Sequence, residues 1–371
     1  MSPSAEPTTL MIVIGTRPEA IKLAPVAMAA AAHGGFRVCV VRTSQHREML
    51  DAMVEHFALP VAVDLDIMRH DQDLAQITTA ALEGLHRVIG ERRPDCVVVQ
   101  GDTTTTFCGA LAASYRRVKV AHVEAGLRTY DRSQPFPEEA NRCLTGQLAD
   151  LHFAPTTRAR DNLLREGVAA ERIHVTGNTA IDALHYTLGR ASAERSRPSA
   201  GRREILVTAH RRENHGEPLA DVCRAIVRLV DAFEDVVVRF PVHLSPRVRA
   251  TVMPMLGDHA RIELGPPLGY REFVLAMDRA HLVLSDSGGI QEEAPSLGKP
   301  VLVLRETTER PEACEAGTAM LVGTDPERVF AEASRLLTDE AHYARMSRAA
   351  NPFGDGTAGV KIVRALAEAL G

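Results

Sequence analysis

No two of the six cysteines (Cys39, Cys96, Cys108, Cys143, Cys223, Cys314) form a C-x-x-C pair. Three of them fall in apolar, strand-like or helix-like runs, so they read as core thiols in a reducing compartment. The chain also lacks any long Lys/Arg run, and its net charge is only -5, which excludes the electrostatic footprint of a nucleic-acid binder. No apolar stretch approaches the ~18 residues of a membrane span, and the opening MSPSAEPTTL has neither the basic nor the apolar block of a secretion signal. The expected location is therefore the cytoplasm, with no membrane partner. Tryptophan is absent altogether, and nothing functional follows from that. A G-x-S-x-G elbow and a Walker A loop are missing too, which disfavours α/β-hydrolase and P-loop NTPase chemistry. His210 and His215 do not form a metalloprotease motif, and no His/Cys/Asp cluster has metal-ligand spacing, so no metal and no cofactor is expected.

What is present is a globular chain of 371 residues, 45% hydrophobic and 25% charged, too long for a single ordinary core. Short Val- and Ile-rich runs alternate with longer segments of helical period: LMIVIG, VCVV, CVVVQG and VKVAHV are each followed by a helix-like stretch. That alternation predicts parallel strands joined by crossover helices, and runs apolar on both faces predict a doubly wound sheet. A polar stretch at residues 191–203 interrupts the pattern, which then restarts with EILVTAH, VVVRFPVH, RIELGPP, HLVLSDSGG and PVLVLR. The expected architecture is α/β: two Rossmann-like doubly wound parallel-sheet domains facing a cleft. The first is placed at residues 1–178 and the second at 179–356, with a C-terminal helix within 357–371 packing back on the first. Ligands of such sheets bind beyond the carboxyl ends of the strands.

The first strand-like run ends in GTRPEAIKLAPV, where Gly15 permits a tight turn, Pro18 suits a helix first turn, and Arg17 and Lys22 supply cations. This is either an anion-facing junction or a surface Arg and Lys beside an ordinary turn. The segment SDSGGIQEEAPSLGKPV is more specific: a strand gives way to Ser287, Gly288 and Gly289 as a helix begins. Glycines let a phosphate approach the backbone, unpaired helix N–H groups bind it, and the hydroxyl adds a donor, so a diphosphate fits. Of Glu292 and Glu293, one turn later, Glu293 is assigned to the hydroxyls of a ribose, and TTERPE adds Arg310 downstream. In the first lobe, three carboxylates follow strands or precede helices: Asp102, Glu124 and Glu138. Asp102 heads four threonines and could simply cap a helix. Glu138 and Glu139 begin a helix, where dipole compensation alone would account for them. Glu124 has no neighbour in sequence to explain it. In VTAHRREN, His210, Arg211 and Arg212 can face a diphosphate, and His210 either donates to phosphate, moves a proton or serves the fold alone.

These blocks closely resemble one family, the bacterial non-hydrolysing UDP-GlcNAc 2-epimerases. GTRPEAIKLAP, SQHREML, GDTTTTF, HVEAGLRT, PEEANR, TGNTAIDAL, HRREN, PVHLSP, DSGGIQEEAPSLGKPV, TTERPEA and NPFGDG all look like its motifs in the right order, across roughly residues 10–370. The resemblance implies a GT-B-like fold, a homodimer, and a UDP-N-acetylhexosamine as substrate, with UDP bound by Arg17, Lys22, His210, Ser287, Gly288, Gly289, Glu293 and Arg310. It implies catalytic roles for Asp102, Glu124 and Glu138, with His210 a further candidate. Some members are activated by substrate in a second pocket, which Gln45, His46, Gln72, Arg211 and His243 would line here. The chain departs from the pattern at Asp71, where some regulated members have a basic residue. It departs again at Gln100, where His is usual, and in DRSQPFPEE, which lacks the aromatic-Ser-Pro pattern.

The chemistry the resemblance implies calls for such a set. The C2 proton of the sugar is not acidic, whereas its loss together with UDP from C1 gives 2-acetamidoglucal without a stranded carbanion. Re-addition of UDP with protonation of the opposite face gives the epimer, so two faces need two proton donors or acceptors, Glu124 and Glu138, with Asp102 assisting. The competing expectations are a hydrolysing relative that releases free ManNAc, a glycosyltransferase sharing the nucleotide cleft, and a non-catalytic UDP-sugar sensor.

Overall fold

The computed structural model describes residues 7–44, 47–69, 71–192 and 201–371, without the side chains of residues 47 and 48. Contacts divide the chain into two units, Met1–Ala183 together with Phe353–Gly371, and Leu184–Pro352. The division falls within a helix, a few residues beyond the boundary placed at 178.

The first unit holds strands β1 (Thr8–Ile14), β2 (Phe36–Arg42), β3 (Val61–Asp64), β4 (Cys96–Gln100), β5 (Lys119–Val123), β6 (Leu151–Ala154) and β7 (Ile173–Val175). They form one sheet in the order β3-β2-β1-β4-β5-β6-β7. Every pairing is parallel; β1 and β4 register Leu10 with Cys96, Met11 with Val97 and Ile12 with Val98. All five residues of β4, CVVVQ, are buried. Such two-sided burial requires cover on both faces, supplied by α1 (Arg17–His33), α2 (Arg47–His56), α3 (Leu74–Arg92), α4 (Thr104–Tyr115), α5 (Glu138–Leu148), α6 (Thr157–Arg165) and α7 (Thr179–Arg190). The C-terminal helix, Ala358–Leu370, turns Ile362, Val363 and Leu366 inward and lies on α1 so closely that a Cβ on Gly359 would sit 2.8 Å from the Pro25 carbonyl oxygen.

The second unit repeats the plan with β8 (Arg203–Thr208), β9 (Val236–Pro241), β10 (Ile262–Gly265), β11 (Leu282–Ser285), β12 (Val301–Val303) and β13 (Ala319–Leu321), in the order β10-β9-β8-β11-β12-β13. Helices α8 (Glu217–Ala232), α9 (Pro246–Leu256), α10 (Tyr270–Arg279), α11 (Gly288–Glu293), α12 (Pro311–Glu315), α13 (Pro326–Thr338) and α14 (Glu340–Ser347) accompany them. Its core joins Ile205 and Val207 of β8 to Val222, Ile226 and Leu229 of α8 and to Phe240 of β9. Both units are thus doubly wound parallel sheets, as the alternation in the sequence predicts. Among the described residues, no helix is long and apolar enough to cross a membrane.

In each sheet the strand order reverses once, between β1 and β4 and between β8 and β11. The crossovers leave in opposite directions there, so the strand ends lie open to a ligand. The exit of β5, next to the first of these points, needs an unusual backbone: Glu124 has φ 62° and Gly126 φ 89°. A Cβ on Gly126 would stand 2.2 Å from the Ala159 carbonyl oxygen of α6. Gly126→Ala therefore combines left-handed backbone with a clash against main chain, and it should destabilise the first unit by about 2–4 kcal/mol. Denaturant unfolding followed by a probe in that unit checks this, and an unchanged midpoint contradicts it.

Candidate active site

The open end of the first sheet gathers the residues singled out after β1, β4 and β5. Arg17, the first residue of α1, is half-buried, and its guanidinium has no ion-pair or hydrogen-bond partner among the described residues. Lys22, one turn on, points at Glu124: its Nζ lies 2.6 and 2.8 Å from the two carboxylate oxygens. Asn178 Nδ2 donates to Glu124 Oε1 at 3.0 Å, and Gln100 Nε2 donates to Oε2. The Glu124 side chain is only 6% exposed, and a buried carboxylate without such partners would cost several kcal/mol. Lys22 is thus placed as the counter-ion of Glu124, and Gln100 and Asn178 complete a clamp that holds the carboxylate in one orientation.

Asp102 follows β4 directly. It does not cap α4: Thr103 does, accepting from the Thr106 N–H at 3.2 Å. Instead Arg142 of α5 donates to its carboxylate, and Asn141 Nδ2 donates to its carbonyl oxygen at 3.0 Å. The two adjacent glutamates that start α5 are separated in role. Glu139 is buried and accepts from the Thr129 N–H at 3.1 Å and the Tyr130 N–H at 2.9 Å, with Arg142 3.2 Å away. Glu138 is half-buried and its carboxylate has no partner among the described residues. One carboxylate shapes the preceding loop, and the other is left available to a reactant. His122 of β5 lies 2.7 Å from the Gly101 carbonyl oxygen through Nε2, bracing the turn that carries Asp102.

In the second unit, the exits of β8 and β11 meet around Asp286, which is fully buried. Its Oδ2 accepts from the backbone N–H groups of His210 and Arg211, both at 2.8 Å, and from Asn214 Nδ2 at 3.2 Å. His210 Nδ1 stands 3.2 Å from Oδ1. This fixes the imidazole with Nε2 turned away from the carboxylate, as a group that must donate to a phosphate or pass a proton would need. The ring also stacks on His243 at 5.7 Å. Ser287 is the N-cap of α11. Space above Gly289 is empty to 4 Å, and the nearest atom to a Cβ on Gly288 is the Arg310 guanidinium carbon at 4.0 Å. Glycine here leaves room that any side chain would fill, beside the first N–H groups of a helix. Glu292 is buried and accepts from Arg310, so it is the loop-supporting member of its pair, and Glu293 is half-buried.

The five residues singled out for a second pocket fare differently. Gln45 and His46 lie outside the described residues. Gln72 accepts from the Arg69 N–H at 2.5 Å and donates to the Ile67 carbonyl at 3.2 Å. Arg211 pairs with Glu309 at 3.0 Å, and His243 accepts from the Ser245 N–H at 3.1 Å as well as stacking on His210. Sequence reasoning passed over Asp286, Asn178 and Arg142, and it marked Gln100 only as a departure from the family pattern without giving it a role. Of the three, Asp286 carried a signal, as the residue between a strand and a Ser-Gly-Gly turn.

Burial and partners shift several of these groups. Burial drives the neutral form of His122, whose pKa falls to about 3, and of His152 and His281, which fall to about 4. Burial raises the Asp286 carboxyl, but the His210 ring and the two backbone N–H donors outweigh it and hold the group below the usual carboxylate range. Glu309 is also raised by burial and overcome, by backbone donation and the Arg211 and Arg305 charges, to about 2.

The sequence matches the protein-family model described as UDP-N-acetylglucosamine 2-epimerase over residues 28–367. The UDP-N-acetylglucosamine 2-epimerase of Bacillus subtilis (strain 168) is 51% identical over 358 residues, covering 96% of this chain and 94% of that protein. The enzyme of the same name from Escherichia coli (strain K12) is 50% identical over 367 residues, covering 96% and 98%. The crystal structure of UDP-GlcNAc 2-epimerase from Neisseria meningitidis bound to UDP-GlcNAc superposes with a TM-score of 0.89 at 44% identity, covering 97% of this chain and all of that one.

The shifted groups set the order of acid unfolding. A histidine whose folded pKa lies below its unfolded 6.5 stabilises fully above 6.5 and loses that contribution as pH falls toward 3–4. Asp286 and Glu309, with lowered values, stabilise above the ordinary carboxylate range and lose that only as pH falls through their folded values. The melting temperature should therefore begin to drop between pH 6.5 and 4, before those carboxylates protonate. His122→Gln should make that drop shallower, and a slope equal to that of the parent chain contradicts the assignment.

Proposed function

This chain belongs to the UDP-N-acetylglucosamine 2-epimerase family, and from that premise we propose that it interconverts UDP-GlcNAc and UDP-ManNAc by eliminating and re-adding UDP. In the first step a carboxylate takes the C2 proton. The C2–H electron pair becomes the C1=C2 bond, and the C1–O pair leaves on the β-phosphate oxygen, giving 2-acetamidoglucal and UDP. In the second, that oxygen bonds to C1 while a carboxylic acid protonates the opposite face of C2. The cycle is redox-neutral, and its demands are two proton-transfer groups and a leaving group that stays bound.

The observation that carries this reading is the contrast between two glutamates of the first unit. Glu124 is held rigidly by Lys22, Gln100 and Asn178, while Glu138 stands without a partner among the described residues. A pre-set carboxylate and a free one suit the two faces of C2, and Asp102, paired with Arg142, adjusts the charge beside them. On the second unit, the Ser287-Gly288-Gly289 turn, His210 and Arg310 take the diphosphate and Glu293 the ribose. Lys22 serves the carboxylate more directly than the nucleotide. Retention of UDP by these contacts lets the intermediate return to a nucleotide sugar instead of being lost as free sugar. The reading includes a homodimer acting in the cytoplasm, and a monomer in sedimentation would remove the first part.

Proton NMR in deuterated water tests the proposal: UDP-ManNAc carrying deuterium at C2 is the expected product of UDP-GlcNAc. Free ManNAc with UDP would identify a hydrolysing relative, and binding without C2 exchange a sensor. Glu124→Gln should lower C2 exchange by about 10²–10⁴ with UDP affinity nearly unchanged. Glu293→Ala should instead weaken UDP binding, read by calorimetry, and the reverse pattern would overturn both assignments.

A further inference from the structure

Glu19, the third residue of α1, lies within GTRPEAIKLAP but has no part in the chemistry above. Its side chain is 1% exposed, and its two oxygens serve two different turns. Oε2 accepts from the Gly15 N–H at 2.9 Å, the Thr16 N–H at 2.6 Å and the Thr16 hydroxyl at 2.8 Å. Oε1 faces the turn after β4, with the Thr103 hydroxyl at 2.7 Å and the Thr106 hydroxyl at 3.0 Å. The carboxylate therefore spans the point where the strand order of the first sheet reverses. Thr103 is the residue after Asp102, and the Thr106 hydroxyl lies 2.6 Å from the Gln100 carbonyl oxygen as well, so its one proton is shared between that oxygen and Glu19.

The two turns are pressed together at this bridge. A Cβ on Gly15 would come within 2.3 Å of Thr105 Oγ1 and 2.6 Å of Thr43 Oγ1, and those two hydroxyls are 2.9 Å apart. A helix N-cap requires only the Oε2 contacts; the Oε1 contacts reach 84 and 87 residues along the chain and have no capping purpose. Burial pushes the Glu19 carboxyl above its ordinary range, with donation from Thr103, Thr16, Gly15 and Thr106 acting the other way. A charge-bearing group so deeply buried is costly unless its partners repay it, and an apolar residue would cover the same space.

We infer that Glu19 is a positioning residue, whose carboxylate locks the turn carrying Asp102 to the turn and helix carrying Arg17 and Lys22. This rests on the proposed epimerisation, since it acts through Asp102 and the Lys22–Glu124 pair. An amide is a poorer bridge: its oxygen can keep the two backbone donors, but its NH₂ has to donate where the carboxylate accepts, so the Thr103 hydroxyl, which donates to Oε1 at 2.7 Å, must turn its own proton elsewhere. The lock is weakened while the cap remains.

The test compares the parent chain with Glu19→Gln, measuring kcat, KM, UDP affinity, melting temperature and the isotope effect of C2-deuterated UDP-GlcNAc. Glu19→Gln should lower kcat by about ten- to a hundredfold, with KM and UDP affinity within about threefold and a larger C2 isotope effect, because proton transfer becomes slower relative to other steps. Glu19→Asp keeps the charge but is one carbon too short to reach both turns, so it should show the same pattern should the amide prevent folding. A kcat within about twofold of the parent, or a loss that follows melting temperature with no change in isotope effect, overturns the inference. A parent chain that turns over no UDP-GlcNAc removes the functional reading instead, which the Glu19 variants alone cannot do.

Discussion

Burying both faces of a parallel sheet leaves its strands only one place to present polar groups, the carboxyl ends beyond the last covered residue. Every feature of the two sites follows from that constraint. β4 is buried along its whole length, and the polar residues begin with Gln100 at its last position and Asp102 just beyond. β11 runs LVLS, all buried, before Asp286 and Ser287. Because strand order reverses between β1 and β4 and again between β8 and β11, the groups at those ends are not roofed by a crossover. The fold thus concentrates carboxylates and cations where water has been partly displaced, and there each charge must be answered.

How each is answered separates support from chemistry. Glu19, Glu139, Glu292 and Asp286 are almost wholly buried, and each accepts from backbone N–H groups, from hydroxyls or from a single guanidinium. They hold turns in place. Glu124 is nearly as buried yet is met mainly by side chains from three separate segments, and its backbone sits in the left-handed region at φ 62°. Strain of that kind persists where surrounding contacts over-determine it, and it is concentrated at functional positions. Arg17 and Glu138 lie at the opposite pole, half-buried and without partners among the described residues.

The fold class was legible because it depends on local pattern: Val-rich runs alternating with segments of helical period leave little choice but parallel strands and crossovers. The glycine-rich turn at Ser287 was legible for the same reason, since strand, Ser-Gly-Gly and helix start are contiguous. Partnerships were not. Lys22 and Glu124 are 102 residues apart, and nothing in the spacing of either points to the other, so Lys22 read as a phosphate cation. The hydrogen bond from Asn178 to Glu124 is hidden likewise, since the two residues lie 54 apart in the chain. Asp102 read as a potential helix cap because its true partner, Arg142, lies in another element, and Thr103 takes the cap instead. Glu138 and Glu139 could not be told apart because adjacent residues on a helix face different surroundings that only the packed structure supplies.

The helix Ala358–Leu370 covers α1, the helix that carries Lys22, although the entire second unit lies between them in the chain. During synthesis, the first unit leaves the ribosome with this seam open, exposing α1 around Pro25 until residues 358–370 have followed. Completion of the first unit is in this way deferred until the whole second unit has been made. A nascent or prematurely terminated chain would then hold its own sheet but lack the cover for α1, a natural handle for quality control by chaperones.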